Sequence, residues 1–357
     1  MEQNSVIPLC LQRESAANGQ YGEASTPSGH RIKTVPRVSV VIPTYKRPRM
    51  LMQCLSALFD QSLSRHEYEI LVCDDDADSQ IETLLTRLAG FEGAIPELRY
   101  LSITESQGPA GARNMGWRAA RAPLIAFTDD DTLPSSNWLE AGLEAMEPDV
   151  HALAGRIIMP LPNKPTDYER DAGGLQHAAF VTANCFVRRS ALEEIGGFDE
   201  RYSEAWREDS DLQFSLLKKN RCIRKADKAI VIHPLRPATF AAGLSMQRKV
   251  MFDALLRRKH RDYYRRYIRK RLPWFYAAAT GSLAAAVLLL AAGKPALSGL
   301  AMVAWLALSI GLFFYRLRGT ILSFRNIAEL AVTSVLNPPL SLFWRMVGAF
   351  RFRGVRP

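Results

Sequence analysis

Two uncharged stretches, Leu272–Gly293 and Pro295–Tyr315, of 22 and 21 residues, constrain this chain more than any other feature. A helix needs about 20 apolar residues to cross the hydrocarbon core of a bilayer. Two charge-free stretches of that length are out of place in a soluble bundle, so the pair reads as a transmembrane hairpin turning at Lys294-Pro295. Arginines crowd the approach to the first stretch, and Arg316 and Arg318 follow the second. The positive-inside rule then puts both ends of the hairpin on the cytoplasmic side. Trp274–Tyr276 and Phe313–Tyr315 stand where interfacial aromatic belts form. A third apolar region, Leu330–Trp344, has only 15 residues and contains Pro338-Pro339. A full span there would take in Arg325 and Glu329 and carry Arg351, Arg353 and Arg356 across. Residues 319–357 are therefore expected to be an interfacial or re-entrant segment with a basic tail.

The whole-chain averages hide this division. The net charge is +10 and the mean hydropathy −0.08, values that fit an ordinary basic soluble protein. Residues 1–246, however, carry 27 basic against 33 acidic residues, residues 247–271 eleven against two, and residues 272–357 eight against one. A nucleic-acid binder concentrates basic charge on its folded domain. Here that domain is acidic and the basic charge lies beside the membrane, where anionic lipid attracts it; nucleic acid is excluded as a partner. Five cysteines, an odd number without a CxxC pair, exclude a disulfide framework and a zinc site and favour a reducing compartment. No signal-peptide pattern opens the sequence, and residues 1–36, rich in Ser, Gly, Gln and Ala, are expected to be a disordered leader.

Residues 37–246 read as one α/β domain. Val38–Pro43 is an apolar, β-branched run suited to a strand covered on both faces. Strands follow at Tyr68–Cys73, Leu98–Ile103 and Leu124–Thr128, with helices from Pro48 to about Gln61, over Gln80–Leu88 and over Gly111–Arg121. This alternation predicts βαβ units and a mostly parallel sheet flanked by helices. Further strands are expected near Ala179–Val187 and Ala229–His233, with a helix from about Asp209 to Lys219. Residues 247–271 read as a basic juxtamembrane helix and 272–318 as the two transmembrane helices.

In open parallel sheets ligands bind at the carboxyl ends of the strands. Three polar clusters fall at such ends: Pro43–Pro48, Asp74–Asp76 and Asp129–Asp131. Crowded carboxylates stay ionised together only when a cation or hydrogen-bond donors offset their repulsion. Asp-x-Asp spacing suits a hard divalent ion bridging protein and pyrophosphate. The glycine fingerprint of a dinucleotide fold and the P-loop lysine are both missing, so neither a dehydrogenase nor a P-loop ATPase fits.

The segments VSVVIPTYKRP (38–48), EILVCDDDAD (69–78), GPAGARNMGWRAA (108–120), IAFTDDD (125–131), TANCFVRRSALEEIGGFDE (182–200) and EDSDL (208–212) together resemble a family 2 glycosyltransferase with the GT-A nucleotide-sugar fold. The resemblance implies that Thr44, Tyr45 and Arg47 line the nucleotide pocket, that Asp74 accepts a hydrogen bond from the base, and that Asp75 lies near the ribose. Arg113 and Asn114 would flank the diphosphate and sugar. Asp129 and Asp130 belong to the donor side, Asp131 is the direct ligand of a divalent metal (Mg²⁺ or Mn²⁺), and His233 is a further metal or phosphate ligand or else structural. Asp209 resembles the catalytic base, with Asn184, Trp206 and Glu208 on the acceptor side; Trp206 serves either to stack on a sugar or as a core anchor. Asp211, two residues on, reads as an exposed or N-terminal helix acid pointing elsewhere.

Physical chemistry supports these roles. Transfer from a nucleotide diphosphate must neutralise a departing diphosphate, which a divalent ion and arginine accomplish without proton transfer. A hydroxyl becomes an adequate nucleophile when a carboxylate takes its proton. The expectation is an inverting transferase moving one sugar to a lipid-linked or glycan acceptor, multi-pass in an inner membrane or its equivalent, with its catalytic domain cytoplasmic and its basic stem on anionic lipid. A polyprenyl-phosphate glycosyl synthase is the alternative within the same chemistry. An inactive transferase-like membrane scaffold is the alternative outside it, and it conflicts with the presence of Asp74, Asp131 and Asp209.

Overall fold

The structure, a computed structural model, describes residues 35–90, 95–103, 108–268 and 274–355. All but the last two residues of the expected leader lie outside the described residues. The apolar runs form strands as expected: β1 (Val38–Thr44), β2 (Tyr68–Asp74), β3 (Glu97–Ser102) and β4 (Leu124–Thr128). Between them lie α1 (Pro48–Phe59), α2 (Ser79–Ala89) and α3 (Gly108–Ala119). Pro48 opens α1 at its first turn, where a missing N–H costs nothing. β1, β2 and β4 are buried along their whole length, which is why their sequences do not alternate.

Beyond β4 come β5 (Leu133–Pro134), α4 (Trp138–Ala145), β6 (Ala152–Ile158), α5 (Asp167–Ala172), β7 (Asn184–Arg188), α6 (Arg189–Ile195), α7 (Glu208–Lys218) and β8 (Ile223–Ile232). One sheet of eight strands results, in the order β3-β2-β1-β4-β7-β6-β8-β5. It is parallel from β3 to β4 and turns mixed where β7 pairs antiparallel with both β4 and β6. Helices cover both faces, and β1 and β4 lie side by side with their carboxyl ends at one rim. β6 is absent from the sequence reading because Gly155 and Arg156 interrupt its apolar run. The register shifts at that point, and Gly155 has no Cβ because the Asn184 amide fills the space a Cβ would need.

The juxtamembrane segment is not the single helix expected over 247–271. After α8 (Ala242–Ser245) comes a 3₁₀ turn over Met246–Met251, then α9 (Phe252–Lys259), α10 (Arg261–Tyr263) and a π turn over Tyr264–Ile268. The break falls at His260, whose backbone leaves helical geometry (φ −136°, ψ 55°) and whose Nε2 meets Asp211 at 2.9 Å. α11 (Trp274–Ala291) and α12 (Pro295–Leu317) are long and apolar enough to cross a membrane, and most of their side chains face outward.

The last helix, α13 (Phe324–Arg351), runs unbroken through Pro338 and Pro339. Its amphipathicity is inside out. Asn326, Thr333, Ser334, Asn337 and Ser341 face the protein, while Phe324, Leu336, Phe343, Met346 and Phe350 are exposed. A helix on a water-soluble surface shows the opposite pattern.

Candidate active site

The loop after β4 carries three consecutive aspartates, and each meets a different arginine. Arg113, enclosed on α3, donates from Nη2 to Asp129 Oδ1 at 2.7 Å. Asp130 accepts from Thr44 Oγ1 at 2.9 Å and from Arg47 Nη1 at 3.1 Å. Asp131 accepts from Arg236, in the loop after β8. Burial pushes the Asp129 carboxyl upward, but Arg113 together with His233 and Arg236 outweighs it and holds the group below its ordinary range. Burial raises Asp130.

The second oxygen of Asp131 is buried, has no hydrogen-bond partner and faces His233 Nε2 at 3.7 Å. Ligand atoms of Asp129, Asp131 and His233 all lie within 4.8 Å of one another. An orphaned carboxylate oxygen beside an imidazole nitrogen and a second carboxylate fits a divalent cation in donor type and in charge. His233 is placed there by β8, whose last residue lies beside Ile158 of β6; the His233 amide continues that ladder to the Ile158 carbonyl at 2.9 Å.

Arg113 also reaches across the cleft. Its Nη1 lies 3.3 Å from Glu208 Oε1, at the start of α7. Burial first, and then the charge of Asp209, push the Glu208 carboxyl up to about 7. Asp209 is raised as well, chiefly by burial. Its carboxylate accepts from the Ser210 amide at 2.6 Å and, more weakly, the Ser210 hydroxyl at 3.4 Å, and it forms no ion pair among the described residues. The site therefore holds a paired acidic rim on one side and a raised, unpaired carboxylate on the other.

Several expected contacts change. Asp74 is fully enclosed and accepts from the amides of Asp76 and Asp78 and from the Tyr100 hydroxyl, so it organises the turn after β2. Asp75 accepts from the Gly108 amide at 2.9 Å and so ties that turn to α3. Asn114, expected beside the donor, spends its amide on Phe198 O, Glu200, the Phe198 amide and the Trp117 indole. Asn184, expected on the acceptor side, is fully buried between Trp138 Nε1 and the carbonyls of Arg156 and Ala229. Tyr45 is exposed at the rim, beneath Lys46. Trp206 packs against the cluster of Tyr202, Met251, Phe252 and Leu255, favouring the anchor role. Asp211 is buried, not exposed, and binds Lys259 at 2.7 Å, His260 at 2.9 Å and Tyr202 at 3.3 Å.

Arg236 is the residue that sequence reasoning missed. Its signal was a basic side chain between Pro234 and Pro237, directly after His233.

Residues 124–317 match the model of glycosyl transferase family group 2, and residues 39–196 that of glycosyl transferase family 2. Glycosyltransferase AglE of Haloferax volcanii is 30% identical over 175 residues, 46% of this chain and 57% of that protein. The Escherichia coli UDP-Glc:alpha-D-GlcNAc-diphosphoundecaprenol beta-1,3-glucosyltransferase WfgD is 30% identical over 109 residues, 30% of this chain and 40% of that one. The chain thus spans about half the length of the curated relatives it matches. The mannosyltransferase PcManGT from Pyrobaculum calidifontis, solved with GDP-Man and Mn²⁺, superposes with a TM-score of 0.52 at 18% identity, covering 89% of this chain and 85% of that one. The fold is of the GT-A type that the motifs implied.

Asn184→Ala would strand the Trp138 indole and two buried carbonyls, each costing about 1–3 kcal/mol. A lowered melting temperature is expected, with Mn²⁺ affinity unchanged in a titration of the detergent-solubilised protein. Weakened Mn²⁺ binding without loss of stability would return Asn184 to the site.

Proposed function

The chain belongs to the family 2 glycosyltransferases, and on that footing we propose that it moves one sugar, with inversion, from a nucleotide-diphosphate sugar to a lipid-linked or glycan acceptor at the cytoplasmic face of a membrane. The observation that carries this reading is the Arg113 bridge. One buried guanidinium joins Asp129, on the rim suited to the donor diphosphate, to Glu208, the neighbour of the proposed base. A lipid-linked acceptor is supported by the diphosphoundecaprenol acceptor named for the Escherichia coli relative, and by two apolar helices with outward-facing side chains.

In the proposed reaction the acceptor hydroxyl attacks the anomeric carbon while the Asp209 carboxylate takes its proton. The bond to the diphosphate oxygen breaks on the opposite face, and the nucleoside diphosphate leaves with the electron pair. A carboxylate raised by burial is a stronger base than an exposed aspartate, which favours that proton transfer. Arg47 and Arg236 stand at the rim where negative charge accumulates on the leaving group. A divalent ion held by Asp131 and His233, with Asp129 beside them, would neutralise the rest of that charge.

Three outcomes test the assignment. Asp209→Asn should abolish sugar transfer while leaving nucleotide-sugar affinity intact in a binding titration; transfer near the wild-type rate would remove Asp209 from the mechanism. Asp131→Ala should abolish the dependence of donor binding on Mn²⁺ or Mg²⁺, and an unchanged metal requirement would exclude Asp131 as a ligand. The base must be ionised to act, and burial raises it. Turnover should therefore climb with pH along a limb displaced above the ordinary carboxylate range of about 4. Glu208 stays protonated while Asp209 ionises, because the charge of Asp209 helps to raise it, so Glu208→Gln should leave that limb in place. A limb at the ordinary carboxylate value in both proteins would contradict a raised Asp209.

A further inference from the structure

Arg207 immediately precedes Glu208 and Asp209 and adopts φ 76°, a left-handed backbone that non-glycine residues rarely take and that surrounding structure must hold in place. Its side chain shows what does the holding. The guanidinium lies over the Trp206 ring, 4.7 Å from its centroid, and Nε donates to Asp253 Oδ1 at 2.8 Å. Asp253 sits on α9 and is buried. Its other oxygen, Oδ2, accepts from Arg345 Nη1 of α13 at 3.3 Å. One enclosed carboxylate is thus shared by two arginines from different helices.

We propose that Asp253, fixed by Arg345 of the lipid-seated helix α13, is a positioning residue that holds Arg207 away from the catalytic carboxylate Asp209. The proposal rests on the assignment of Asp209 as the base. A guanidinium two residues before a carboxylate is its nearest available cation, and an ion pair between them would lower the basicity of Asp209 and block its approach to the acceptor hydroxyl. With both oxygens of Asp253 engaged, Arg207 is directed toward α9 and makes no hydrogen bond or ion pair with Asp209; its charge acts on that carboxylate only through space, and the hydrogen bonds to Asp209 come from the Ser210 amide and hydroxyl.

The geometry also ties this arrangement to the membrane. α13 lies against both α11 and α12 and against the 246–251 turn. The contact with that turn is close enough that a Cβ on Gly348 would overlap the Met251 backbone, two residues before Asp253. Arg345 therefore cannot shift without disturbing α9. Opposite this packed face, α13 presents Leu336, Phe343, Met346 and Phe350 outward, with Arg351 and Arg353 at its end. An apolar face continuous with a transmembrane hairpin and closed by arginines matches the acyl and anionic headgroup layers of a bilayer surface. Lipid is the occupant this surface commits to, and lipid seating of α13 fixes the position of Arg345.

The test uses the full chain in phosphatidylethanolamine–phosphatidylglycerol vesicles, with nucleotide release read from UDP-glucose, UDP-N-acetylglucosamine and GDP-mannose in turn. Asp253→Asn should lower kcat roughly tenfold, equivalent to about 1.4 kcal/mol in the barrier, with KM for the donor unchanged. Adding Arg207→Gln should restore most of the lost rate, because no guanidinium remains to pair with the base. A strut with only a structural role predicts the reverse, a double variant no faster than Asp253→Asn. Should Asp253→Asn fail to fold, Arg345→Gln carries the same comparison with Asp253 retained. Phe343→Ser with Met346→Ser should lower kcat in vesicles, and Arg207→Gln should reverse that loss too; a loss that Arg207→Gln leaves in place would sever the relay from the lipid face. Asp209→Asn is measured alongside. If it still transfers sugar, the base assignment fails. If it is inactive while Asp253→Asn runs at the wild-type rate, only the relay fails.

Discussion

Arg113 is enclosed within the fold and divides its guanidinium between Asp129 and Glu208. Burying a lone cation would cost several kcal/mol, and burying either acid alone would drive it to its neutral form. Each of the three therefore requires the others. α3, the loop after β4 and the first turn of α7 belong to different parts of the chain, and this shared charge makes them one wall of the cleft. The arrangement is asymmetric in a useful way. Asp129 receives the shorter bond and is held below its ordinary range, while Glu208 receives the longer one and is pushed up to about 7. Arg113 thus holds an anionic rim on one side, while on the other burial and the charge of Asp209 override its pull and raise the Glu208 carboxyl.

The aspartate triplet extends the same principle. Three adjacent carboxylates cannot remain ionised in a buried loop without compensation. Here Arg113, Arg47 and Arg236 approach from three separate elements, one for each acid. Asp130 is thereby committed to holding the β1 loop through Thr44 and Arg47, which leaves Asp129 and Asp131 to face the open side with His233. Only Asp131 keeps an unsatisfied buried oxygen, and it lies at the point where the three ligand atoms converge. Arg236 pairs with the other oxygen of Asp131 and so offsets part of the negative charge of this rim.

What was legible in the sequence follows from how local each interaction is. β1, β2 and β4 announce themselves as unbroken apolar runs because both of their faces are covered. β5, two residues long, and β6, split at Gly155, carry no such pattern. The metal-suited residues were readable because carboxylates at strand ends and a histidine after a strand keep that position whatever surrounds them. The structural partners of Asn114 and Asn184 were not legible, because an asparagine reads alike whether its amide meets a ligand or ties down backbone. The partners that decide it lie 84 residues away in the first case and 45 in the second. Asp211 was rightly separated from Asp209 by helix geometry, yet its burial depends on Lys259 and His260, 48 and 49 residues further along.

The distribution of charge takes on a further meaning in three dimensions. By sequence, the basic stem and tail are an anchor for anionic lipid. In the structure many of these cations point inward instead. Lys259 binds Asp199 and Asp211, Arg345 binds Asp253, and Arg316 binds Asp167 on α5. Arg258 donates to the carbonyls of Arg353 and Ala349 near the end of α13. An acidic catalytic domain and a basic stem are electrostatically complementary, and buried or half-buried pairs between them are screened far less by salt than exposed ones. Through these pairs the basic surplus orients the cleft relative to the hairpin. The inside-out polarity of α13 belongs to the same design, because a helix that gives its polar face to the protein has only an apolar face left outside.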